Sequence, residues 1–302
     1  MRETSTRSTR RQFVRRATAA TAGALTLGAL GSPAAAATYV PVVSTREHFD
    51  DSATLTSGHT ATDYDTDGTV PGVDVGCVDD LLVFVHGWDK KSSESEAEAA
   101  AEEKFEHADA RLDAEGYWGT VVGYSWDNDK GGGVDYGWAE SKEIATKNGP
   151  KLANFLTDYA SACGGTIRLA CHSLGARVTF SALQTLDGWG YADLVESVHV
   201  LGGAVDNERP TLEHGDGYDA VANVTRATFN YYSGEDDVLE WVYNSFEFDQ
   251  ALGETGAESG NAVPGNYTDF DATGQVGDDH SGYLDALTDE MVYHMRYVSY
   301  YD

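Results

Sequence analysis

"RLACHSLGAR", residues 168–177, joins an apolar run of strand length to a segment of helical character, residues 174–186. A strand that turns directly into a helix can hold a serine exposed at the carboxyl edge of a sheet, provided that small residues lie two positions on either side. Gly175 is one such residue, and Cys171 stands where a second glycine is expected; cysteine is small and tolerates burial. The stretch alone leaves two interpretations of Ser173, a nucleophile or the N-cap of a helix.

Short apolar runs alternate with longer amphipathic segments on both sides of this turn. The short runs have the length of strands and the long segments that of helices, and such alternation predicts a mostly parallel sheet with helices on both faces. We therefore expect one large α/β domain. The expected strands are residues 81–85, 120–125, 166–170, 197–201 and 225–232, the expected helices are residues 93–116, 138–162, 174–186 and a final helix after 279, and the expected loops are residues 206–224 and 251–279.

An acid and a histidine follow Ser173 in the order that a serine nucleophile requires in this kind of sheet. The expected strand 225–232 runs into Ser-Gly-Glu-Asp-Asp, where Asp237 is the first choice for the acid and Asp236 its near rival. His280 lies at a loop-to-helix junction and is the candidate base, while His294 is a weaker alternative because it lies within a regular segment. An imidazole would accept the serine proton, and the carboxylate would hold its tautomer.

The end of the first long strand offers a place for an oxyanion. His86 and Gly87 form a turn there, and the backbone N–H of the following residue, Trp88, is expected to face a substrate oxygen. The second donor would be the N–H of Leu174, the residue after the serine. His86 itself is interpreted as a structural histidine that binds neighbouring loops.

Five motifs in this order resemble the α/β-hydrolase superfamily. The resemblance implies an α/β-hydrolase fold with a mostly parallel central sheet, a catalytic domain at residues 81–302, and a serine hydrolase that cleaves a small-molecule or lipid carboxylic ester. A peptidase or amidase with the same triad, or a secreted binding protein without activity, remains an alternative. The motifs are LLVFVHGW (81–88), GYSWDND (123–129), CHSLGAR (171–177), YYSGEDDVL (231–239) and DDHSGYLD (278–285), of which the second is similar to an uncharacterised esterase- or lipase-like branch.

The cysteines are placed so that two of them can pair. Cys77 precedes the His-Gly turn by nine residues and Cys163 precedes Ser173 by ten. If the two strands are adjacent and parallel, as this fold implies, these cysteines meet at the edge opposite the serine, and a disulfide is expected. Cys171 would remain a buried thiol; as a nucleophile in place of Ser173 it would need to be exposed.

The amino terminus is predicted to direct export. Residues 1–37 contain a twin-arginine pair, a short alanine-rich apolar run and small residues for cleavage, which together resemble a twin-arginine signal peptide. The signal predicts a secreted protein without stable membrane insertion. Residues 38–80 are expected to form a polar N-terminal segment with an edge strand near 39–43.

The charge of the chain is strongly negative, −30 overall and −35 without residues 1–37, which carry six arginines and one glutamate. A globular composition with such a charge resembles an exported, halophilic archaeal type, in which concentrated cations screen the repulsion. Nucleic acid is therefore not expected as a partner.

An acidic loop resembles the start of a calcium site. Asp63, Asp65 and Asp67 occupy alternate positions before Gly68, and Asp74 falls where a twelfth-position carboxylate would lie. Flanking helices are absent, so a solvated acidic loop is the favoured alternative. No cofactor is required for the expected chemistry; a structural calcium is the one candidate.

Overall fold

The computed structural model describes residues 39–300, and the predicted export signal lies outside the described residues. Strands and helices alternate through this region, as the apolar periodicity predicts. None of the described helices combines the length and apolar composition needed to cross a lipid bilayer. The strands are β1 (Val42–Ser44), β2 (Asp65–Thr66), β3 (Asp80–Val85), β4 (Thr120–Ser125), β5 (Thr166–His172), β6 (Val195–Leu201), β7 (Thr225–Tyr232) and β8 (Tyr267–Asp271). The helices are α1 (Glu94–Ala114), α2 (Trp138–Ala162), α3 (Gly175–Gly188), α4 (Asp216–Val224), a π-helix (Val238–Tyr243), α5 (Asn244–Glu247), α6 (Leu252–Thr255), α7 (Thr273–Val276) and α8 (Tyr283–Tyr300).

The strands form one eight-stranded sheet in the order β2-β1-β4-β3-β5-β6-β7-β8. Every neighbouring pair is parallel except β1 and β2, which are antiparallel. The central strand β5 pairs with β3 and β6, so the turn after β5 opens at the middle of the carboxyl edge. The mostly parallel sheet flanked by helices confirms the predicted α/β-hydrolase fold.

Apolar side chains of the sheet divide between its two faces. On β3, Leu81 and Val83 join a buried cluster with α2, α3 and α4, whereas Leu82 and Phe84 join a second buried cluster with α1 and α8. Successive side chains of a strand point to opposite faces, so a run of apolar residues predicts burial on both. The sheet is therefore covered on both faces, and its carboxyl edge is left to the loops.

The N-terminal segment differs from the prediction in its place in the sheet. Val42–Ser44 is not an edge strand; it pairs in parallel with β4 on one side, and the two-residue β2 covers its other side. Val43 is fully buried in the cluster on the α2 face. Residues 38–80 thus contribute strands to the sheet that the later segments build.

Two expected loops contain regular elements. Residues 206–224 end in α4, and residues 251–279 contain β8, which pairs in parallel with β7 at the sheet edge. The β8 sequence Tyr-Thr-Asp-Phe-Asp contains a threonine and two aspartates, and only one of its residues is buried. An edge strand with so little apolar surface gives a weak sequence signal, which explains why it resembled a loop.

The cysteines are arranged as the fold implies. Cys77 and Cys163 form a disulfide with their Cα atoms 5.6 Å apart, and the bridge spans 86 residues of sequence. Cys171 is a free thiol on β5, and it is fully buried. Burial raises the pKa of this thiol to about 12, which keeps it protonated and unreactive at neutral pH.

Candidate active site

Ser173 lies at the sharp turn between β5 and α3 with a φ of +54°. This left-handed conformation is unfavourable for a residue with a Cβ atom, and it places the side chain at the carboxyl edge of the sheet. Two glycines permit the turn to pack closely. A Cβ on Gly87 would lie 2.7 Å from Ser173 Cβ, and one on Gly175 would lie 2.5 Å from the Val85 carbonyl oxygen. Glycine is therefore required at both positions for this close packing.

His280 is fixed by a carboxylate on one ring nitrogen and is free on the other. Its Nδ1 lies 2.7 Å from Asp236 Oδ2. Its Nε2 is buried and has no hydrogen-bond partner among the described residues. An acceptor on Nδ1 keeps the proton there in the neutral ring and leaves the Nε2 lone pair available to accept a proton.

Asp236 is fully buried, and its two oxygens have complementary partners. Oδ1 accepts hydrogen bonds from the backbone N–H groups of Val238 and Leu239, at 3.1 and 3.0 Å, at the start of the π-helix. Oδ2 faces His280 and lies 3.1 Å from the hydroxyl of Tyr283. These hydrogen bonds fix the orientation of the carboxylate, so that Oδ2 faces the His280 ring.

The structure places Asp236, and not the predicted acid Asp237, against His280. Asp237 is exposed, whereas Asp236 points inward against His280. The physical reason is the start of the π-helix, because the side chain of Asp236 accepts the backbone N–H groups of Val238 and Leu239 and is held inward by them. The alternative base, His294, lies on α8, stacked on Phe229 with ring centroids 4.3 Å apart and bonded to the Tyr231 hydroxyl.

His280 is held beside the nucleophile turn by the residue before the serine. His172 Nε2 donates a hydrogen bond to the His280 carbonyl oxygen at 2.7 Å, and the two rings lie 4.8 Å apart. Burial, with the nearby His280 ring, lowers the pKa of His172 to about 3, so its ring is neutral. The structure shows no hydrogen bond between Ser173 Oγ and His280 Nε2. Both residues adjoin His172, which directly precedes the serine and bonds to the His280 carbonyl oxygen.

The two expected oxyanion donors flank the serine turn. Trp88 directly follows Gly87, which packs on Ser173, and Leu174 directly follows the serine. Within the described part of the chain, neither backbone N–H has a hydrogen-bond acceptor. Two such N–H groups can bind an oxygen that gains negative charge at this position.

His86 has the structural role predicted for it. It is buried, its Nδ1 donates to the Gly87 carbonyl oxygen at 2.9 Å, and its Nε2 accepts from the Trp126 backbone N–H at 3.3 Å. Burial lowers its pKa to about 3, with a smaller effect of Lys104. The histidine ties the His-Gly turn to the end of β4.

The acidic loop does not assemble the predicted calcium site. Asp65 is part of β2 and faces His48, while Asp67 accepts from Thr69 and the Val42 backbone. Asp74 accepts from the Val70 backbone N–H. Asp63 accepts from the ammonium of Lys151 at 2.6 Å. Each carboxylate has its own protein donor, so the four oxygens do not converge on one point.

Two other groups of described residues bring possible metal ligands together, and protein cations lie against both. His48, His59 and Asp63 form one group, and Lys151 donates to two of its members. Glu94, Asp127 and Asp129 form the other, which Arg46 and Lys130 neutralise. A buried ammonium or guanidinium already supplies the positive charge that such clusters require.

Three contributors to the site were missed by sequence reasoning. Tyr283 contacts Asp236, and Arg177 and Arg209 each lie within 4.0 Å of Asp206, in the loop after β6. A tyrosine three residues after a candidate histidine carries no distinctive signal. The arginines carry a weak one, since basic residues are scarce in so acidic a chain, but Arg209 lies in a stretch with no periodicity.

Comparisons with known proteins find one partial family match and two similar solved structures. Residues 130–276, slightly less than half of the chain, match a family described as "Protein of unknown function (DUF726)". No curated protein sequence matches the chain. Among solved structures, an acetylxylan esterase is similar at 12% identity and a TM-score of 0.38, over 74% of this chain and 98% of the other. The mature Bacillus licheniformis lipase BlEst2 is similar at 16% identity and a TM-score of 0.36, over 72% and 91% of the two chains.

Proposed function

We propose that the protein is a serine hydrolase that cleaves carboxylic esters, with Ser173 as nucleophile, His280 as general base and Asp236 as the acid that orients it. The observation that carries this proposal is His280: its Nδ1 lies 2.7 Å from the buried Asp236 carboxylate, while its buried Nε2 has no described partner. An imidazole oriented in this way beside a serine in a left-handed turn is suited to proton transfer.

The reaction would proceed through an acyl-enzyme. Ser173 Oγ attacks the ester carbonyl carbon while His280 Nε2 takes the hydroxyl proton, and the tetrahedral oxyanion binds the N–H groups of Trp88 and Leu174. His280 then returns the proton to the leaving alkoxide, which departs as an alcohol. A water molecule repeats the two steps and releases the carboxylic acid. Asp236 stays ionised and stabilises the imidazolium in each half.

The missing hydrogen bond between Ser173 and His280 is compatible with this role. Catalytic hydrogen bonds are often long without substrate and shorten in the Michaelis complex. Rotation about the Cα–Cβ bond of Ser173 moves Oγ without a change in the backbone. His280 has less freedom, because Asp236 and His172 hold its ring and its carbonyl oxygen.

The test is turnover of 4-nitrophenyl butyrate in concentrated KCl by the mature chain. Ser173→Ala and His280→Ala should each lose at least about 10³-fold in kcat, and the exposed Ser95→Ala should retain full activity. A fluorophosphonate should add its mass to Ser173 in the wild type and not in Ser173→Ala. Equal turnover by wild type and Ser173→Ala would overturn the assignment. Cleavage of peptide amides in preference to esters would make the protein an amidase with the same triad.

Export and adaptation to high salt belong to the same proposal. A formal charge of −30 gives strong repulsion between carboxylates, which salt screens. Thermal unfolding should therefore shift to higher temperature as KCl rises, and curves that do not depend on KCl would contradict the adaptation. Export is tested by replacing Arg10 and Arg11 with lysine, which should leave the unprocessed chain inside the cell.

A further inference from the structure

Two arginine side chains lie on either side of Asp206 beside the candidate active site, and neither donates a hydrogen bond to any of the described residues. Arg177 lies in the first turn of α3, four residues after Ser173, and Arg209 lies in the loop after β6. Their side chains are only 11% and 15% exposed. The buried nitrogens without a partner among the described residues are Nε and Nη2 of Arg177 and Nε of Arg209. Unpaired N–H groups of a buried cation are costly, so this pair calls for an explanation.

Asp206 is the nearby carboxylate, and it does not satisfy the pair. Its oxygens lie 4.0 Å from Arg177 Nη2 and 3.8 Å from Arg209 Nη2, longer than hydrogen bonds. Oδ1 of Asp206 already accepts the Tyr243 hydroxyl at 2.6 Å. Burial raises the pKa of Asp206, but Tyr243 and the two arginines outweigh burial and hold that pKa below its usual range. The group is therefore two positive charges and one negative charge, with spare N–H donors.

Another buried arginine, Arg46, shows that the fold can provide hydrogen-bond acceptors for a guanidinium group. Arg46 donates to the Trp126 carbonyl oxygen at 2.8 Å and to Asp129 at 2.6 Å. The chain has 50 acidic residues against 20 basic ones, so acceptors are abundant. A second carboxylate beside Arg177 and Arg209 would complete the pair, but among the described residues only Asp206 has a carboxylate within 4.0 Å of either. The exposed Asp216 acts on Arg209 only over a longer distance.

The arginine pair adjoins the serine turn. The Ala204 backbone N–H donates to the Ser173 carbonyl oxygen at 3.0 Å, and Asp206 follows two residues later. Tyr243, which bonds to Asp206, packs against two tryptophans. Its ring centroid lies 6.0 Å from that of Trp138, and the ring centroid of Trp138 lies 5.5 Å from that of Trp88. The pair and the candidate oxyanion residue therefore border the same edge of the sheet.

We propose that Arg177 and Arg209 form a subsite for a carboxylate carried by the ester substrate, so that the protein prefers acidic esters to neutral ones. Guanidinium groups bind carboxylates with two parallel hydrogen bonds, which suits the unpaired nitrogens. The net charge of +1 from two arginines and Asp206 matches a monoanionic carboxylate better than a dianionic phosphate. Asp206 and Tyr243 position the arginines, and the substrate completes the group. This inference rests on the proposed ester hydrolysis.

The experiment compares kcat/KM for 4-nitrophenyl hydrogen glutarate and for the neutral 4-nitrophenyl butyrate. The wild type should favour the acidic ester by at least about tenfold. Arg177→Gln and Arg209→Gln should each lower that ratio by about tenfold or more, and Arg177→Lys should lower it less, since the charge remains but the paired donors are lost. Arg226→Gln is the matched control, because it removes the same charge at the opposite edge of the sheet, and it should leave the ratio unchanged.

A second measurement separates this subsite from the proposed function. Glutarate should raise the unfolding temperature of the wild type more than glutaramide does, and Arg209→Gln should abolish the difference. If no ester is hydrolysed but this shift is present, the subsite stands and the hydrolase proposal fails. If Ser173→Ala abolishes ester turnover while the ratio and the shift are the same in wild type and arginine variants, the hydrolase stands and the subsite is overturned. Arg209 lies in a loop, so its variant keeps the test valid if Arg177→Gln does not fold.

Discussion

Lys151 and Arg177 are both buried cations, but only Lys151 has hydrogen-bond acceptors among the described residues around it. The ammonium of Lys151 lies within hydrogen-bond distance of Asp63, His48 and the Thr60 carbonyl oxygen, at 2.6, 3.0 and 2.6 Å. The guanidinium of Arg177 has no such contact with any of the described residues. The contacts of Lys151 hold residues 48–63 against α2. The unpaired N–H groups of Arg177 instead lie at the sheet edge that carries Ser173 and His280. We therefore expect substitutions around Lys151 to change the stability of the fold, and substitutions at the Ser173 edge to change catalytic turnover.

The largest expected effect tests the catalytic side of this contrast. Asp236→Asn keeps the shape of the side chain but removes the charge that would stabilise the His280 imidazolium, and it should lower kcat by about 10³- to 10⁴-fold. The matched change one residue later, Asp237→Asn, alters an exposed side chain and should remain within about twofold of wild type. Ester turnover measures both, and a larger fall in Asp237→Asn would reverse the assignment of the acid.

The next effect concerns stability. Lys151→Met removes the buried ammonium that pairs with Asp63 and leaves the Thr60 carbonyl oxygen without that donor, so the free energy of unfolding should fall by about 3–5 kcal/mol. Lys104→Met is the control: it breaks a half-exposed pair with Asp89 and should cost about 1 kcal/mol or less. Denaturant unfolding gives both values. Equal losses would show that burial of the cation makes no difference.

A smaller effect comes from neutral histidines at the serine edge. Burial holds the pKa values of His86 and His172 at about 3, below the 6.5 of an exposed histidine. The unfolded chain therefore binds protons that the folded chain does not, and stability present above about pH 6.5 is lost as the pH falls toward 3. His172→Gln removes one such group and should reduce the slope of unfolding free energy between pH 6 and 5 by up to about 1.4 kcal/mol per pH unit. An unchanged slope would mean that His172 is protonated in the folded state.

The smallest effect uses salt to distinguish the two kinds of lysine. Concentrated KCl screens exposed pairs and affects buried ones much less. The loss of at most about 1 kcal/mol in Lys104→Met should therefore vanish in 3 M KCl, while the loss in Lys151→Met should persist. Parallel unfolding series at low and high KCl measure this difference, and a Lys151→Met loss that vanishes with salt would place its ammonium in contact with solvent.

The order and type of the central elements could be predicted because burial on both faces requires continuous apolar runs such as residues 81–85. The serine turn and the disulfide followed from the same parallel geometry. β8 could not be predicted, since a polar edge strand buries too little. The choice between Asp236 and Asp237 depended on the start of the π-helix, whose first N–H groups bind the Asp236 side chain, and no periodicity in residues 231–239 marks that turn. The pairing of Arg177 with Arg209 joins a helix to an irregular loop, which only tertiary structure reveals.

The left-handed backbone conformation of Ser173 affects the outcome of any screen for more stable variants. A residue with a side chain loses roughly 1–2 kcal/mol in this conformation, and glycine does not. Ser173→Gly should therefore be among the more stable variants of the chain, even though it has no nucleophile. A library screened for thermal stability alone would be enriched in inactive members at this position, so any programme to stabilise the protein must screen for turnover at the same time.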